Sequence, residues 1–185
     1  MGIAKKPAPA KLVVAMLAPR EEWFDRAEAA LAERFGPVDY RSASIPFDYT
    51  RYYAPELGDT ILRRFAAFAP LIDPGTLADV KVWTNALEQA WAADGGTRRI
   101  NLDPGYMTLA KLVLATTKDH SHRIYLAQGI YAEVTLTYRN RDWHPCPWTY
   151  PDYRSEAYRH ILHDIRALLA QQLRTVAEPR PGSAD

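Results

Sequence analysis

The order of strand and helix patterns in the first hundred residues constrains the fold of this chain most strongly. Residues 11–18 form an apolar run that is typical of a buried strand. Apolar side chains then recur at helical spacing until Gly36 and Pro37, which predict the end of a helix. Residues 38–47 are mostly extended, and residues 61–71 favour a further strand.

A second strand–helix–strand unit completes the pattern. Asp73 and Pro74 are an N-cap and first-turn signature, so we expect a helix from Pro74 to about residue 93. Residues 98–102 and 111–117 both favour strands. Strand, helix, strand, strand, helix, strand is the ferredoxin-like split βαβ order. The predicted fold class is therefore α+β with a ferredoxin-like βαββαβ order.

The remaining sequence extends this unit. Residues 122–137 predict an antiparallel hairpin, and a closing helix should begin near residue 154 and carry its apolar stripe to Leu173. The boundaries that we expect are a flexible N-terminal tail at residues 1–10, a single α+β domain at residues 11–173 and a flexible C-terminal tail at residues 174–185.

The composition excludes several function classes. The chain has 185 residues, of which 48% are hydrophobic and 24% charged, and its net charge of +1 lacks the electrostatic signature of a dedicated nucleic-acid binder. The early apolar run is too short to span a membrane. Cys146 is the single cysteine, which excludes an internal disulfide and favours a cytoplasmic location.

The hairpin can be registered in two ways. A two-residue turn at residues 128–129 would pair Leu126 with Tyr131, whereas a three-residue loop at residues 127–129 would pair Leu126 with Ile130. The second register separates an apolar face from a polar face, and the two faces are Ile124, Leu126, Ile130, Ala132, Val134 and Leu136, and Arg123, Tyr125, Tyr131, Glu133, Thr135 and Thr137. Because a slip of one residue exchanges the faces, this separation predicts the three-residue loop.

The polar face of the hairpin is the predicted site. Arg123 should lie opposite Glu133, and Tyr125 opposite Tyr131. One interpretation is a ligand floor, on which Arg123 binds an anionic group bidentately, Glu133 orients it and the tyrosines stack on a planar group. The other is an ion pair and an aromatic pair on a solvated sheet surface.

Other segments supply further candidates. Asn101 and Asp103 would have to arrive from the preceding strand, although the Asp-Pro-Gly sequence that begins at Asp103 is also a common turn. For an enzyme, the candidate catalytic groups are His122, Glu133 and Asp103. The favoured register points His122 to the apolar side, so only strand irregularity would bring it to the site. The predicted ligand-binding set is Asn101, Asp103, Lys118, Arg123, Tyr125, Tyr131 and Glu133.

Two further groups of side chains have a structural and a functional interpretation. Lys81, Asn85 and Glu88 share one face of the second helix, and we prefer a solvated ion-pair row to the edge of a site. The aromatic residues of the segment 143–153 suggest a loop that packs over the sheet, with an aromatic lid over a ligand as the alternative.

Established motif chemistries find no support in the sequence. The pairs His120/His122 and His144/Cys146 lie about twenty residues apart without a CxxC or HExxH element, so we predict no metal site. Neither GxxxxGK[ST] nor GxGxxG occurs. The run that begins at Thr117 approaches the guanine-specificity motif of GTPases, but its acid directly follows the lysine.

Several motifs together resemble a bacterial family of uncharacterised proteins, domain-of-unknown-function family 4416. The resemblance spans residues 11 to about 166 and rests on the segments 47–53, 99–106, 112–118, 122–126, 129–136 and 148–153. Some members of that family are labelled GTP-binding proteins, which the motifs of this chain do not justify. The family implies no activity, because none is established for it.

We therefore expect a protein that binds a small anionic or nucleotide-like ligand on its polar sheet face. The competing hypotheses are a noncatalytic protein-interaction module and an RNA-binding module that stacks bases on Tyr125 and Tyr131, although the near-zero net charge disfavours nucleic acid. No membrane partner is expected. The sequence identifies no cofactor, reaction or oligomeric state.

Overall fold

The computed structural model describes residues 1–93 and 95–177. Asp94 and residues 178–185 lie outside the described residues, and with them most of the predicted C-terminal tail. The helices are α1 (Glu21–Phe35), α2 (Ala54–Leu57), α3 (Leu77–Ala90) and α4 (Glu156–Ala177). The strands are β1 (Ala10–Ala18), β2 (Val38–Arg41), β3 (Ile45–Pro46), β4 (Leu62–Ile72), β5 (Asn101–Met107), β6 (Lys111–Thr116), β7 (Ile124–Ala127), β8 (Ile130–Arg139) and β9 (Asp142–Pro145).

One antiparallel sheet contains all nine strands of the described chain, in the order β2-β4-β1-β5-β6-β8-β7. Strand β3 pairs with β4, and β9 pairs with β8 beside β7. The strands of each strand–helix–strand unit are separated by one strand of the other unit, which is the split βαβ arrangement. The α+β class and the ferredoxin-like order are therefore confirmed, with β6 to β9 and α4 as the extension.

The sheet lies between two helical layers. Helices α1 and α3 cover one face, where Leu12 and Leu102 belong to the core, and α4 covers the other, where Val13 and Leu112 do. Strand β1 is buried along its whole length because it is central in the sheet and covered on both faces. Helix α4 ends at Ala177, four residues beyond the predicted apolar stripe.

Strand β5 contains the Asp-Pro-Gly sequence that has a turn as its alternative interpretation. Asp103 is instead paired with Ala15 of β1, and the ladder continues through Pro104 and Gly105. Strand β6 pairs with β5 only from Gly105 to Met107, so β5 has an open edge from Asn101 to Pro104. The turn interpretation was wrong because tertiary pairing with β1 stabilises an extended backbone at this sequence.

The β7–β8 hairpin combines both registers that the sequence allowed. Its turn has two residues, since Ala127 pairs with Ile130, and Gln128 and Gly129 have φ of 54° and 75°. These positive values are those of a type I′ turn. The predicted three-residue loop was therefore wrong. A bulge beyond Tyr125 shifts the register, so Tyr125 lies opposite Tyr131 as predicted.

The predicted apolar face of the hairpin is only partly buried. Ile130 packs in the cluster that contains Leu77 of α3, but Ile124 is 72% exposed because β7 is the outermost strand. A second bulge at Thr135 places Leu136 opposite Leu112, in the core under α4. The prediction that Leu136 shares a face with Ile130 was wrong, since an inserted residue reverses the alternation.

Gly105 permits the close approach of β6 at the point where the strands separate. A Cβ atom there would lie 2.4 Å from the Val113 carbonyl oxygen and 2.7 Å from Leu114 Cδ2. We expect Gly105→Ala to lower the free energy of unfolding by roughly 2–3 kcal/mol, measured by urea denaturation. Gly2→Ala is the control, because its Cβ would meet no atom within 4 Å and its backbone has no positive φ, so its stability should equal that of the wild type. Equal losses in the two variants would contradict the role of Gly105.

Candidate functional site

The open edge of β5 is completed by two side chains of α3. The Lys81 ammonium donates to the Leu102 carbonyl oxygen at 2.8 Å, and the Leu102 N–H donates to Glu88 Oε1 at 2.6 Å. Both side chains are buried. A carboxylate and an ammonium group thus replace the hydrogen bonds that β6 would otherwise make. The prediction of a solvated row was wrong for Lys81 and Glu88, because the missing strand leaves polar backbone groups that they satisfy.

Proline is tolerated in β5 for the same reason. Residues two apart in a strand point their backbone groups to the same side, so position 104 faces the open edge like Leu102. Pro104 has no N–H to donate, and no neighbouring strand needs one there.

A cavity of about 920 Å³ opens where β5 and β6 separate. Lys81, Asn85 and Glu88 of α3 line this cavity. The row therefore lies at the edge of a cavity, which is the position that its alternative interpretation requires. Its other walls come from β5, from β6 with the residues that follow it, and from the segments 47–53 and 150–153. Residues 150–153 belong to the aromatic segment 143–153, for which a lid over a ligand is the alternative interpretation.

The cavity brings together five of the seven residues in the predicted ligand-binding set, namely Asn101, Asp103, Lys118, Arg123 and Glu133. Tyr125 and Tyr131 form the predicted aromatic pair, with ring centroids 5.3 Å apart, but they lie outside the cavity. Strand β7 is the outermost strand of the sheet, and β8 and β6 lie between it and β5, so this pair does not reach the gap between β5 and β6.

Arg123 is a positioning residue in this arrangement. Its Nε donates to Glu133 Oε2 at 2.7 Å, and its terminal nitrogens donate to the Lys118 carbonyl oxygen at 3.0 Å and the Tyr150 hydroxyl at 3.4 Å. The side chain is only 3% exposed. The guanidinium therefore fixes the backbone at Lys118 and the side chain of Tyr150. It has no pair of unbonded N–H groups for a bidentate ligand contact.

His122 points to the polar side, and the prediction that it faces the apolar side was wrong. The Arg123 N–H donates to the His120 carbonyl oxygen, which closes a turn before β7 begins. This turn brings His122 Nε2 within 3.1 Å of Glu133 Oε2 and stacks its ring on Trp148, with centroids 5.1 Å apart. His122 contacts the outer side of Glu133 and does not line the cavity.

The deep end of the cavity is built around a buried arginine. Arg63 donates to Asp152 Oδ2 at 3.1 Å and to the Tyr158 hydroxyl at 3.1 Å, and it lies 3.5 Å from Asp103 Oδ2. Burial raises the pKa of Asp152, and the charge of Arg63 opposes that rise. Neither Arg63 nor Asp152 is among the site residues that the sequence predicts. The available signal was the Arg63-Arg64 pair inside an otherwise apolar strand, because arginine is rarely buried without a partner.

Asp103 is the carboxylate that is most open to the cavity. Its side chain is 27% exposed, whereas those of Glu88, Glu133 and Asp152 are 7% exposed or less. Asn101 donates to Asp103 Oδ2 at 2.8 Å, and the Lys81 ammonium lies 4.0 Å from Oδ1. Oδ2 of Asp103 is therefore held by Asn101, whereas Oδ1 accepts no hydrogen bond within the described chain.

Lys118 is the cavity cation that no carboxylate of the described chain neutralises. Its ammonium lies 3.2 Å from the Tyr52 hydroxyl and 4.5 Å from the centroid of that ring. Within residues 1–93 and 95–177, no carboxylate oxygen lies within 4.0 Å of it. The cavity walls carry five cationic side chains and four carboxylates, namely Arg63, Lys81, Arg98, Lys118 and Arg123, and Glu88, Asp103, Glu133 and Asp152.

Glu88 holds a proton more tightly than an ordinary carboxyl group. Burial is the main cause that raises its pKa from 4.5 to about 7, and the charge of Asp103 adds to the rise. Lys81, Arg98 and the Leu102 N–H act in the opposite direction. Near neutral pH the charge of Glu88 therefore depends on small changes of its surroundings.

Comparison with known families assigns the chain to one group of proteins. The family described as “Domain of unknown function (DUF4416)” matches residues 8–168. The chain belongs to this family. The match includes every residue that lines the cavity, from Phe47 to Tyr153. No curated protein and no solved structure matches this DUF4416 member.

Neither a metal-binding cluster nor a membrane-spanning helix is found in the described part of the chain. Among the described residues, no three His, Cys, Asp or Glu side chains converge in a way that could hold a metal ion. His144 Nε2 instead lies 3.1 Å from the Arg139 carbonyl oxygen, away from His122. Likewise, the described helices include none with the length and apolar character that crossing a bilayer requires.

The pKa of Glu88 predicts a pH-dependent stability. A carboxyl group with a raised pKa takes up a proton on folding, so its stabilising contribution is complete below pH 4.5 and is lost as the pH rises through 7. Relative to Glu88→Gln, the wild type should lose roughly 2–3 kcal/mol of unfolding free energy between pH 5 and pH 8. Urea denaturation at both pH values measures the difference.

The control for this experiment is Glu56→Gln, which changes an exposed carboxylate on the same ion-pair network through Arg98. It should track the pH dependence of the wild type. A Glu88→Gln variant whose stability follows the wild type across the same range would show that Glu88 is ionised in both states.

Proposed function

We propose that the cavity binds a small anionic ligand that carries a planar group, as a nucleotide does. The observation that carries this proposal is the Lys118 ammonium at a concave wall, where no carboxylate among residues 1–93 and 95–177 neutralises it. An anion placed there gains a charge-assisted contact without displacing a protein carboxylate. A proton on Glu88 increases the positive excess of the cavity further.

The aromatic wall supports the planar part of the ligand. Tyr49, Tyr52, Tyr53 and Tyr150 line the cavity, and Tyr52 and Tyr53 form an edge-to-face pair with ring centroids 5.0 Å apart. Tyr52 and Tyr49 are exposed in part, which leaves ring surface for a ligand. Stacking on such rings contributes about 1–3 kcal/mol per nucleobase in known complexes.

The dimensions of the cavity agree with this ligand class. A volume of about 920 Å³ lies in the upper part of the range of roughly 300–1,000 Å³ that is usual for small-molecule sites. The walls come from rigid strands and α3 on one side and from loops on the other, so most of the site is formed before a ligand binds. The lone Cys146 is consistent with a reducing compartment, and we propose that the protein acts in the cytoplasm.

A protein-docking function is the second candidate, and the outermost strand favours it. Ile124, Tyr125 and Leu126 of β7 are exposed on an edge that can accept another strand. The same strand carries the Tyr125–Tyr131 pair on which an RNA base would stack in the third hypothesis. Both alternatives place binding outside the cavity, so substitutions separate them from our proposal.

Lys118→Ala tests the proposal directly. Thermal-shift and calorimetric titrations with AMP, GMP and inorganic phosphate should show binding to the wild type, and the substitution should weaken it by roughly tenfold, about 1.4 kcal/mol. Lys118 is exposed, so the variant should fold normally. Lys6→Ala is the matched control, because it removes one exposed positive charge far from the cavity in sequence and should not change affinity.

Each other result has a defined meaning. Binding of AMP that is equal in wild type and Lys118→Ala would contradict the placement of the anion. Loss of binding in Tyr125→Ala with full binding in Lys118→Ala would instead favour the face on β7 and β8.

A further inference from the structure

The polar groups that line the cavity divide into those already bonded and those left open. Arg63, Arg123 and Asp152 are buried or bonded to other side chains, so a ligand would have to break existing contacts to reach them. Asn101 is bonded at both ends, by Arg98 at 2.9 Å and to Asp103 at 2.8 Å.

The open groups form two sets. The first is the Lys118 ammonium, which among the described residues donates only to the Tyr52 hydroxyl. The second is Asp103 Oδ1, the Tyr53 hydroxyl and the Asn85 amide, and within the described chain neither Tyr53 nor Asn85 makes a side-chain hydrogen bond. The first set suits an anion, whereas the second offers an acceptor, a hydroxyl and an amide.

The surroundings of Asp103 decide which donor it can accept. Arg63 lies 3.5 Å from one of its oxygens and Lys81 lies 4.0 Å from the other. A ligand ammonium at Asp103 would be placed beside two fixed cations, which is electrostatically unfavourable. A neutral hydroxyl donates to the same oxygen without that repulsion, so the site selects a neutral donor.

Tyr53 provides the second contact for a hydroxyl-bearing group. Tyr53 and Asp103 line the same cavity, and Arg98 connects them, because its guanidinium lies 5.9 Å from the centroid of the Tyr53 ring and donates to Asn101, which donates to Asp103. Burial raises the pKa of the Tyr53 phenol. The phenol is therefore neutral at physiological pH and can both donate and accept. A carboxylate beside a phenol is suited to a pair of adjacent hydroxyl groups, because one hydroxyl can donate to the carboxylate while the other accepts from the phenol O–H or donates to its oxygen.

From this division of open groups, we propose that the cavity recognises a phosphorylated sugar unit, with its hydroxyl groups on Asp103 and Tyr53 and its phosphate on Lys118. The inference rests on the proposed anion-binding function and deepens it by naming the ligand class. Asn85, which also lines the cavity, supplies an amide that can bond a further hydroxyl or the edge of an attached base.

The test compares two probes that differ only in hydroxyl groups. Ribose 5-phosphate and tetrahydrofurfuryl phosphate share a five-membered ring and a phosphate, but only the first carries ring hydroxyls. Isothermal calorimetry should show ribose 5-phosphate binding at least tenfold more tightly to the wild type. Tyr53→Phe and Asp103→Asn should each reduce this ratio roughly fivefold or more without weakening tetrahydrofurfuryl phosphate.

Matched variants separate a binding role from a structural one. Tyr53→Phe removes a hydroxyl that has no protein partner in the described chain, so its melting temperature should equal that of the wild type. Tyr125→Phe removes a hydroxyl outside the cavity and should leave both affinities unchanged. Lys118→Ala should weaken both probes by the same factor, since both carry the phosphate.

The outcomes distinguish this inference from the proposed function. Equal binding of the two probes, with both dependent on Lys118, would overturn hydroxyl recognition and leave anion binding intact. Tighter binding of phosphoethanolamine than of glycerol 3-phosphate would overturn the selection of a neutral donor at Asp103. Failure of both sugar probes, AMP and inorganic phosphate to bind would overturn the proposed function and this inference together.

Discussion

Strand β6 pairs with β5 only from Gly105 onward, so the peptide groups of residues 101–104 have no partner strand on that edge. Two side chains of α3 replace the missing strand. Lys81 and Glu88 bond the carbonyl oxygen and the N–H of Leu102. Without them the open edge would hold unsatisfied backbone groups in a buried place, at a cost of about 1–3 kcal/mol each. The same separation creates the cavity, because the space that β6 would fill is left between β5, α3 and the loops that carry Tyr49, Tyr52, Tyr53 and Tyr150. Its walls therefore depend on how one strand is completed.

The electrostatics of the cavity follow from that arrangement. Charges brought into the gap are partly or fully buried, and buried charges are stable only when paired. Arg63 is paired with Asp152, and Arg123 with Glu133, so these side chains fix the geometry more than they offer contacts. Lys118 lies at the exposed margin, where water can solvate its ammonium and no partner is required. Side chains deep in the cavity are therefore bonded to other side chains, whereas Lys118 at its exposed margin can remain open.

Much of the fold was predictable from local patterns, whereas the site was predictable only in part. The alternation of strand and helical periods predicts the βαββαβ order because each period sets which side chains can be buried together. The direction of His122 was not predictable, since it depends on a turn closed by His120 and Arg123. The hairpin register depends on bulges, and a bulge changes the face of a residue without a clear sequence signal.

Local sequence patterns specify the α+β class, the order of the elements and five of the polar residues that line the cavity. They do so because periodicity and turn residues act over short distances along the chain. Long-range packing places Asp103 in a strand, buries Lys81 and Glu88, and brings Arg63 to the cavity from β4. These positions result from pairing between distant strands and from burial of charge, and neither is encoded in the local spacing of residues.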